Sequence, residues 1–299
     1  MTDLDATPLP FTQRYFDLRS RRSPLVMGID PAKETMISWG LDDSPSGLKE
    51  FCDRSLEVAA EGVGLVKFQS AFFERLGWRG MQVLSDSLRL AKEAGLLVIL
   101  DVKRGDIGST ASAYGEAFFS DGADFFADAV TLSPYLGVEE LMPIFQLANE
   151  KGGYVFVVAR SSNEDARSIQ QLRQGDLSVE EIVLEKILAA NRHFFVEPGG
   201  GKEKVFVDGL RTTGPVGAVF APNHGREIKV DLADFNCLFL APGIGAQGAT
   251  ISMTADVFSS CREYVLPSVS RAILRHGPGR KAMSEAIRIL LKETEDFLG

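Results

Sequence analysis

Leu96-Leu-Val-Ile-Leu-Asp-Val-Lys-Arg-Gly-Asp106 is the stretch on which the reading of this chain turns. Five apolar residues, Leu96 to Leu100, suit a strand buried on both faces, and then charge appears abruptly. Asp101 and Lys103 are two positions apart, so on a strand their side chains share one face. Asp106 follows Gly105 and falls beyond the strand, in the loop that leads to the next helix. Charge gathered at the C-terminal end of a buried strand is the arrangement of α/β barrels, which keep their chemistry at that end.

Outward from this strand the pattern repeats. Short apolar runs over Leu25–Asp30, Gly64–Gln69, Ala129–Leu132, Tyr154–Ala159, Val216–Phe220, Cys237–Ala241 and Tyr264–Ser270 join Leu97–Lys103 as candidate strands. Between them, Leu48–Ala60, Met81–Ala94, Val179–Phe195 and Met283–Phe297 carry apolar residues at three- and four-residue spacing, and Gly95 supplies a helix stop. Strand–helix alternation implies parallel pairing with right-handed crossovers. Eight strands with no clear linker favour a closed (β/α)8 TIM barrel, read as a single domain over residues 1–299. Residues 1–22 form an N-terminal extension, expected as a helical lid over the barrel bottom. Pro198-Gly-Gly-Gly201 reads as a surface loop rather than a domain boundary.

The bulk numbers restrict the function. A chain of 299 residues that is 45% hydrophobic and 24% charged can bury a large core. A net charge of −9 argues against a nucleic-acid coat, which needs a basic surface. There is no long apolar run, so neither signal peptide nor membrane span is expected, and the protein reads as cytoplasmic. Cys52, Cys237 and Cys261 are widely spaced and read as buried, idle thiols. Three histidines, His193, His224 and His276, supply neither a zinc site nor a histidine-centred triad well.

A second lysine makes the charged strand end more than an ion pair. An Asp-x-Lys alone fits a structural pair or a site equally. Lys67, however, breaks the apolar run Val63-Gly-Leu-Val-Lys-Phe68 at the end of the preceding strand. Two lysines and two carboxylates at one barrel mouth are costly to desolvate unless they form a network, which favours function.

Asp101-Val-Lys103-Arg-Gly-Asp106-Ile-Gly-Ser-Thr110 resembles the Asp-x-Lys-x-x-Asp signature of the orotidine monophosphate decarboxylases, and the likeness runs from about Val26 to Ala272. It is nearest the longer bacterial subfamily. The resemblance implies decarboxylation of orotidine 5′-monophosphate to UMP with no metal and no organic cofactor. It makes Lys67, Asp101, Lys103 and Asp106 an alternating catalytic array, with Lys103 protonating C6 of the pyrimidine. It also implies a homodimer, in which Asp106, Ile107 and Thr110 reach the neighbouring subunit's site.

Four further segments fit. Ala241-Pro-Gly-Ile-Gly-Ala-Gln-Gly-Ala249 is a glycine-rich loop after the seventh strand, where barrel phosphate sites are commonly built. It also matches G-x-G-x-x-G, but lies outside the βαβ unit that a dinucleotide fingerprint requires. Arg271, after the eighth strand, reads on its own as a surface arginine or a phosphate fork. The resemblance gives Gln247 and Arg271 the 5′-phosphate. Asp30, in Met27-Gly-Ile-Asp30-Pro, reads as a turn cap or, by resemblance, as a ribose ligand. In Arg160-Ser-Ser162-Asn163, Ser162 aligns with the serine that reads the base, with Ser161 one position away. Glu164-Asp165 replaces the family's usual Pro-Gly there, a departure that bears on the loop.

Two other readings compete. Sister barrels with the same strand motif act on sugar phosphates and hold magnesium partly with a carboxylate where this chain has Lys67; an ammonium there repels the metal. A non-catalytic nucleotide-binding barrel gives no reason to retain the charged array.

Overall fold

The computed structural model describes residues 9–194, 206–207, 210–211, 213–224 and 230–299, with the backbone alone at 206, 207, 210, 211 and 224. The Pro198–Gly201 segment lies outside the described residues.

Eight apolar runs become eight parallel strands: β1 (Val26–Ile29), β2 (Leu65–Gln69), β3 (Leu97–Arg104), β4 (Ala129–Leu132), β5 (Tyr154–Arg160), β6 (Val216–Phe220), β7 (Phe239–Ala241) and β8 (Val265–Val269). They pair in chain order, and β1 returns to β8 through Val26↔Ser268 and Met27↔Val269, which closes the barrel. Closure leaves no edge strand, and helices cover the outside, so the strands are buried on both faces and almost wholly apolar. All eight sequence-derived strands are present, displaced by at most two residues at either end.

The main helices are α1 (Phe11–Arg21), α2 (Pro45–Gly62), α3 (Gly77–Glu93), α4 (Gly108–Phe119), α5 (Met142–Glu150), α6 (Val179–Phe194), α7 (Ile251–Val257) and α8 (Arg280–Leu298). Local chemistry sets their ends. Ser44 caps α2 by accepting the Gly47 N–H at 3.2 Å, and Pro45 takes the first turn, where a missing N–H costs nothing. α3 stops at Gly95, whose φ of +74° turns the chain into β3. Two short antiparallel ribbons, Arg173–Gln174 with Leu177–Ser178 and Phe206–Val207 with Leu210–Arg211, lie between barrel elements in sequence.

The N-terminal helix α1 lies across the strand beginnings. Phe11 and Tyr15 are fully buried, and Phe11 packs 5.3 Å from the ring of Tyr154, the first residue of β5. The Tyr15 hydroxyl donates to the Val265 carbonyl at 3.1 Å, at the start of β8. Arg14 pairs with Asp128, whose other oxygen accepts the Val98 N–H at 2.8 Å near the start of β3. With the bottom closed in this way, the open mouth is at the opposite, C-terminal end of the strands.

Candidate active site

β2 and β3 run side by side in a register that sets Lys67 against Ile99 and Gln69 against Asp101. This staggers Lys67 and Asp101 so that one long side chain reaches the other: Lys67 Nζ lies 3.0 Å from Asp101 Oδ2. Asp101 Oδ1 faces Lys103 Nζ at 2.6 Å and accepts the Thr131 hydroxyl at 2.7 Å. On the far side, Lys67 Nζ is 3.9 Å from Asp30 Oδ1, at the end of β1. Strands β1 to β4 thus each contribute to a continuous polar chain, β3 with both Asp101 and Lys103.

Burial divides the array. Lys67 and Asp101 are buried, whereas the Lys103 side chain is 45% exposed at the mouth. Burial works against the charge on Asp101, but the Lys67 and Lys103 ammonium groups, with hydrogen bonds from Lys103 and Thr131, outweigh it and hold the carboxyl well below the usual carboxylate range. Burial likewise opposes the Lys67 charge, and Asp101 and Asp30 overcome it to raise that amine above its ordinary value. The pair is therefore ionic in place, with one exposed ammonium beside it.

Lys103 does not share the Asp101 face by simple alternation. Its φ is +43°, a left-handed conformation uncommon for a residue with a side chain, and the β3–β4 register shifts between Leu100 and Arg104. Arg104 turns to Glu74, 2.6 Å away, and takes no part in the array.

Asp106 stands apart from the array. Its Oδ1 accepts the Ile107 N–H at 2.9 Å, and among the described residues it forms no ion pair within the chain. Ile107 and Thr110, at the start of α4, are exposed.

Opposite the array, the loops after β5 and β7 bring two of the other predicted residues, Ser162 and Gln247, together. The Ser162 hydroxyl donates to Gln247 Oε1 at 2.6 Å. Ser161 instead turns to Asn163 and Gln170. The glycine-rich loop folds on itself through Gly245 N–H to Ala249 carbonyl at 2.8 Å, with Gly243 at φ +94°. A Cβ at Gly243 would lie 2.9 Å from that of Ser162, so only glycine lets the two loops meet. A Cβ at Gly245 would likewise lie 3.0 Å from that of Ala272, which puts this loop beside the exposed Arg271.

Several contributors were not visible in sequence. Thr131 joins Asp101 to the Lys103 backbone. Asn223, after β6, donates to the Ser162 carbonyl at 2.8 Å and the Gln247 carbonyl at 3.1 Å, clasping the two loops. Arg160 extends β5 by one residue because its guanidinium is buried in a two-pronged pair with Glu180, 4.2 Å over the Phe220 ring. A lone threonine in an apolar strand and an asparagine after Ala-Pro were the only signals.

The thiols lie elsewhere. Cys52, Cys237 and Cys261 are buried, and burial pushes Cys52 and Cys261 up to about 12, far from a reactive thiolate. Among the described residues no helix is long and apolar enough to cross a membrane.

Fold and site together define an α/β-barrel enzyme with a buried lysine–carboxylate array at the strand C-termini. Residues 23–286 match the family model described as Orotidine 5′-phosphate decarboxylase / HUMPS family, and the chain belongs to that family. It is 39% identical to the orotidine 5′-phosphate decarboxylase of Myxococcus xanthus over 97% of each chain. It is 42% identical to that of Salinispora arenicola, over 92% of this chain and 94% of the relative. Among solved structures, a Streptomyces avermitilis chain superposes with TM-score 0.87 at 38% identity, covering 100% of this chain and 99% of that one. The Leishmania donovani OMP decarboxylase does so with TM-score 0.71 at 27% identity, covering 96% and 99%.

Proposed function

We propose that this enzyme converts orotidine 5′-monophosphate to UMP and CO2 without metal or organic cofactor, and that Lys103 protonates C6. The carrying observation is the ionic array itself. Asp101 is held as a carboxylate by Lys67, and an exposed ammonium stands 2.6 Å from its other oxygen. Loss of CO2 leaves an electron pair on C6, and the Lys103 ammonium stabilises that developing charge and delivers its proton to it. Unit charges 4 Å apart interact by about 4 kcal/mol at an effective dielectric of ~20. That is part of the ~8–23 kcal/mol by which enzymes lower barriers, so preorganisation and binding of the remote groups must supply the rest.

In this reading Asp101 lies beside the substrate carboxylate and disfavours its charge until CO2 departs. Lys67 and Asp106 keep the array in register. Asp30, whose buried Oδ1 accepts no hydrogen bond among the described residues, takes the ribose hydroxyls. Ser162 takes the base, which its contact with Gln247 supports, and Gln247 and Arg271 take the 5′-phosphate.

The enzyme acts as a homodimer that lends Asp106, Ile107 and Thr110 across the interface. Support comes from exposed apolar residues on adjoining loops: Ile107 after β3, and Tyr135 and Leu136 after β4, where the Ser133 N–H donates to the Arg104 carbonyl at 2.7 Å. An enzyme of nucleotide synthesis is assigned to the cytoplasm.

The test is ultraviolet absorbance on mixing the protein with orotidine 5′-monophosphate in excess EDTA. Loss of the orotate chromophore with UMP formed is the expected result. No change, with a folded dimer verified, would overturn the proposal and direct attention to magnesium-dependent chemistry on sugar phosphates.

A further inference from the structure

We infer that Thr131 is a positioning residue for the decarboxylation, and that its hydroxyl sets the conformation in which Lys103 meets Asp101. This inference rests on the function proposed above. Thr131 Oγ donates to Asp101 Oδ1 at 2.7 Å and accepts the Lys103 backbone N–H at 3.0 Å. The direction of both bonds is settled by chemistry. A carboxylate has no proton to give and an amide N–H cannot accept, so the hydroxyl proton points to Asp101 and a lone pair to Lys103.

The two bonds fall where β3 leaves its ladder. Leu100 pairs with Val130, but Arg104 pairs with Leu132, so four steps along β3 match two along β4. The surplus residues bulge, and Lys103 takes φ +43°. A lysine has no intrinsic preference for that conformation and holds it only where its surroundings over-determine it. Within the bulge the Lys103 N–H donates to the Thr131 hydroxyl, a side-chain acceptor on the neighbouring strand. The same oxygen grips the carboxylate that Lys103 Nζ reaches at 2.6 Å. One side chain therefore fixes both the backbone that aims the ammonium and the carboxylate that receives it. The Thr131 side chain is buried, so water does not stand in readily if it is lost.

Three variants separate the hydroxyl from the space it fills: Thr131→Val keeps the shape, Thr131→Ser keeps the hydroxyl, and Thr131→Ala backs up Thr131→Val should the latter misfold. The expected result is a kcat lower by about 10- to 100-fold in Thr131→Val, from loss of two hydrogen bonds of which one is to a charged group. UMP affinity stays within about three-fold and Thr131→Ser recovers most of the wild-type kcat, since a misplaced ammonium weakens the chemical step and not the hold on ribose phosphate. Turnover by Thr131→Val within two-fold of wild type would overturn the inference, as would a Thr131→Ser defect as deep as that of Thr131→Val. A crystal structure of Thr131→Val supplies a readout independent of the activity: Lys103 still at positive φ beside Asp101 would overturn it too. Absence of turnover in the wild type would instead sink the decarboxylase reading, and the crystal structure would still decide on Thr131.

Discussion

Lys67 Nζ lies 3.0 Å from Asp101 Oδ2, and both side chains are buried, on neighbouring strands of the barrel mouth. Stability does not explain such a pair, since its desolvation cost rivals its Coulombic gain. What it does is keep a carboxylate ionised in an apolar wall, next to a lysine that solvent and substrate can reach.

The pair has a pH signature. The folded-state pKa of Asp101 lies below its unfolded value of about 3.9, so its stabilisation is complete above roughly pH 5 and is lost as pH falls through the folded value. Lys67 is shifted upward, so its contribution holds below about pH 10 and is lost as pH rises through its folded value. Removing one partner of a buried pair costs about 3–5 kcal/mol. Because Lys103 and Thr131 still satisfy Oδ1 of Asp101, Lys67→Met is expected at the low end, about 3 kcal/mol at pH 7. Urea unfolding at fixed protein concentration measures it, and the gap to wild type should narrow below about pH 4. A gap unchanged down to pH 2.5 would show that the ionic pair is not its source.

Lys103→Ala is expected to reduce turnover by at least about 10³-fold, the equivalent of ~4 kcal/mol of charge stabilisation, besides removing the proton donor. UMP should still bind, because Asp30, Ser162, Gln247 and Arg271 are untouched. Near-normal turnover would remove Lys103 from the mechanism.

The parts of this molecule that were legible in sequence share a physical cause. A strand buried on both faces must be apolar throughout, so the eight barrel strands stand out as runs, and Lys67, Asp101 and Lys103 stand out as interruptions of them. Helices with small residues on the surface do not. Gly108-Ser-Thr-Ala-Ser-Ala-Tyr-Gly opens α4 with little contrast between its faces, and no helical period was read there. α5 and α7 were missed for their length, nine and seven residues. Thr131 was hidden because threonine is an ordinary strand former, and nothing in Ala129-Val-Thr-Leu132 marks the hydroxyl as a partner of Asp101. Ser161 and Ser162 were left as alternatives for a related reason: adjacent positions in a loop differ only in direction, and in the structure Ser162 meets Gln247 while Ser161 meets Asn163 and Gln170. Asp106 was expected in the neighbouring subunit's array, and within its own chain its carboxylate accepts the Ile107 N–H.

Arg271 has no ion-pair partner among the described residues and stands exposed beside the glycine-rich loop. A hydrogen-bonded charge pair of the kind it would make with phosphate contributes about 1.5–3 kcal/mol, so Arg271→Ala is expected to weaken UMP binding roughly 10- to 100-fold. Uridine, which lacks the phosphate, should bind both proteins alike. Calorimetry with the two ligands tests this, and unchanged UMP affinity would take the arginine out of the phosphate site.

Asp106 decides whether one chain is enough. If it serves the neighbouring subunit, Lys103→Ala and Asp106→Ala are each inactive alone but complement when mixed. A hybrid dimer has one site with both defects and one with neither, because the intact Lys103 of one subunit meets the intact Asp106 of the other. Random exchange of equal amounts makes half the dimers hybrid, so about a quarter of wild-type activity should return after mild dissociation and reassociation. If Asp106 instead acts on its own subunit's array, every site in the mixture carries one defect and nothing returns. The geometry favours the first outcome: among the described residues Asp106 pairs with no lysine of its own chain, and the array it is expected to complete already has Asp101 between its two ammonium groups.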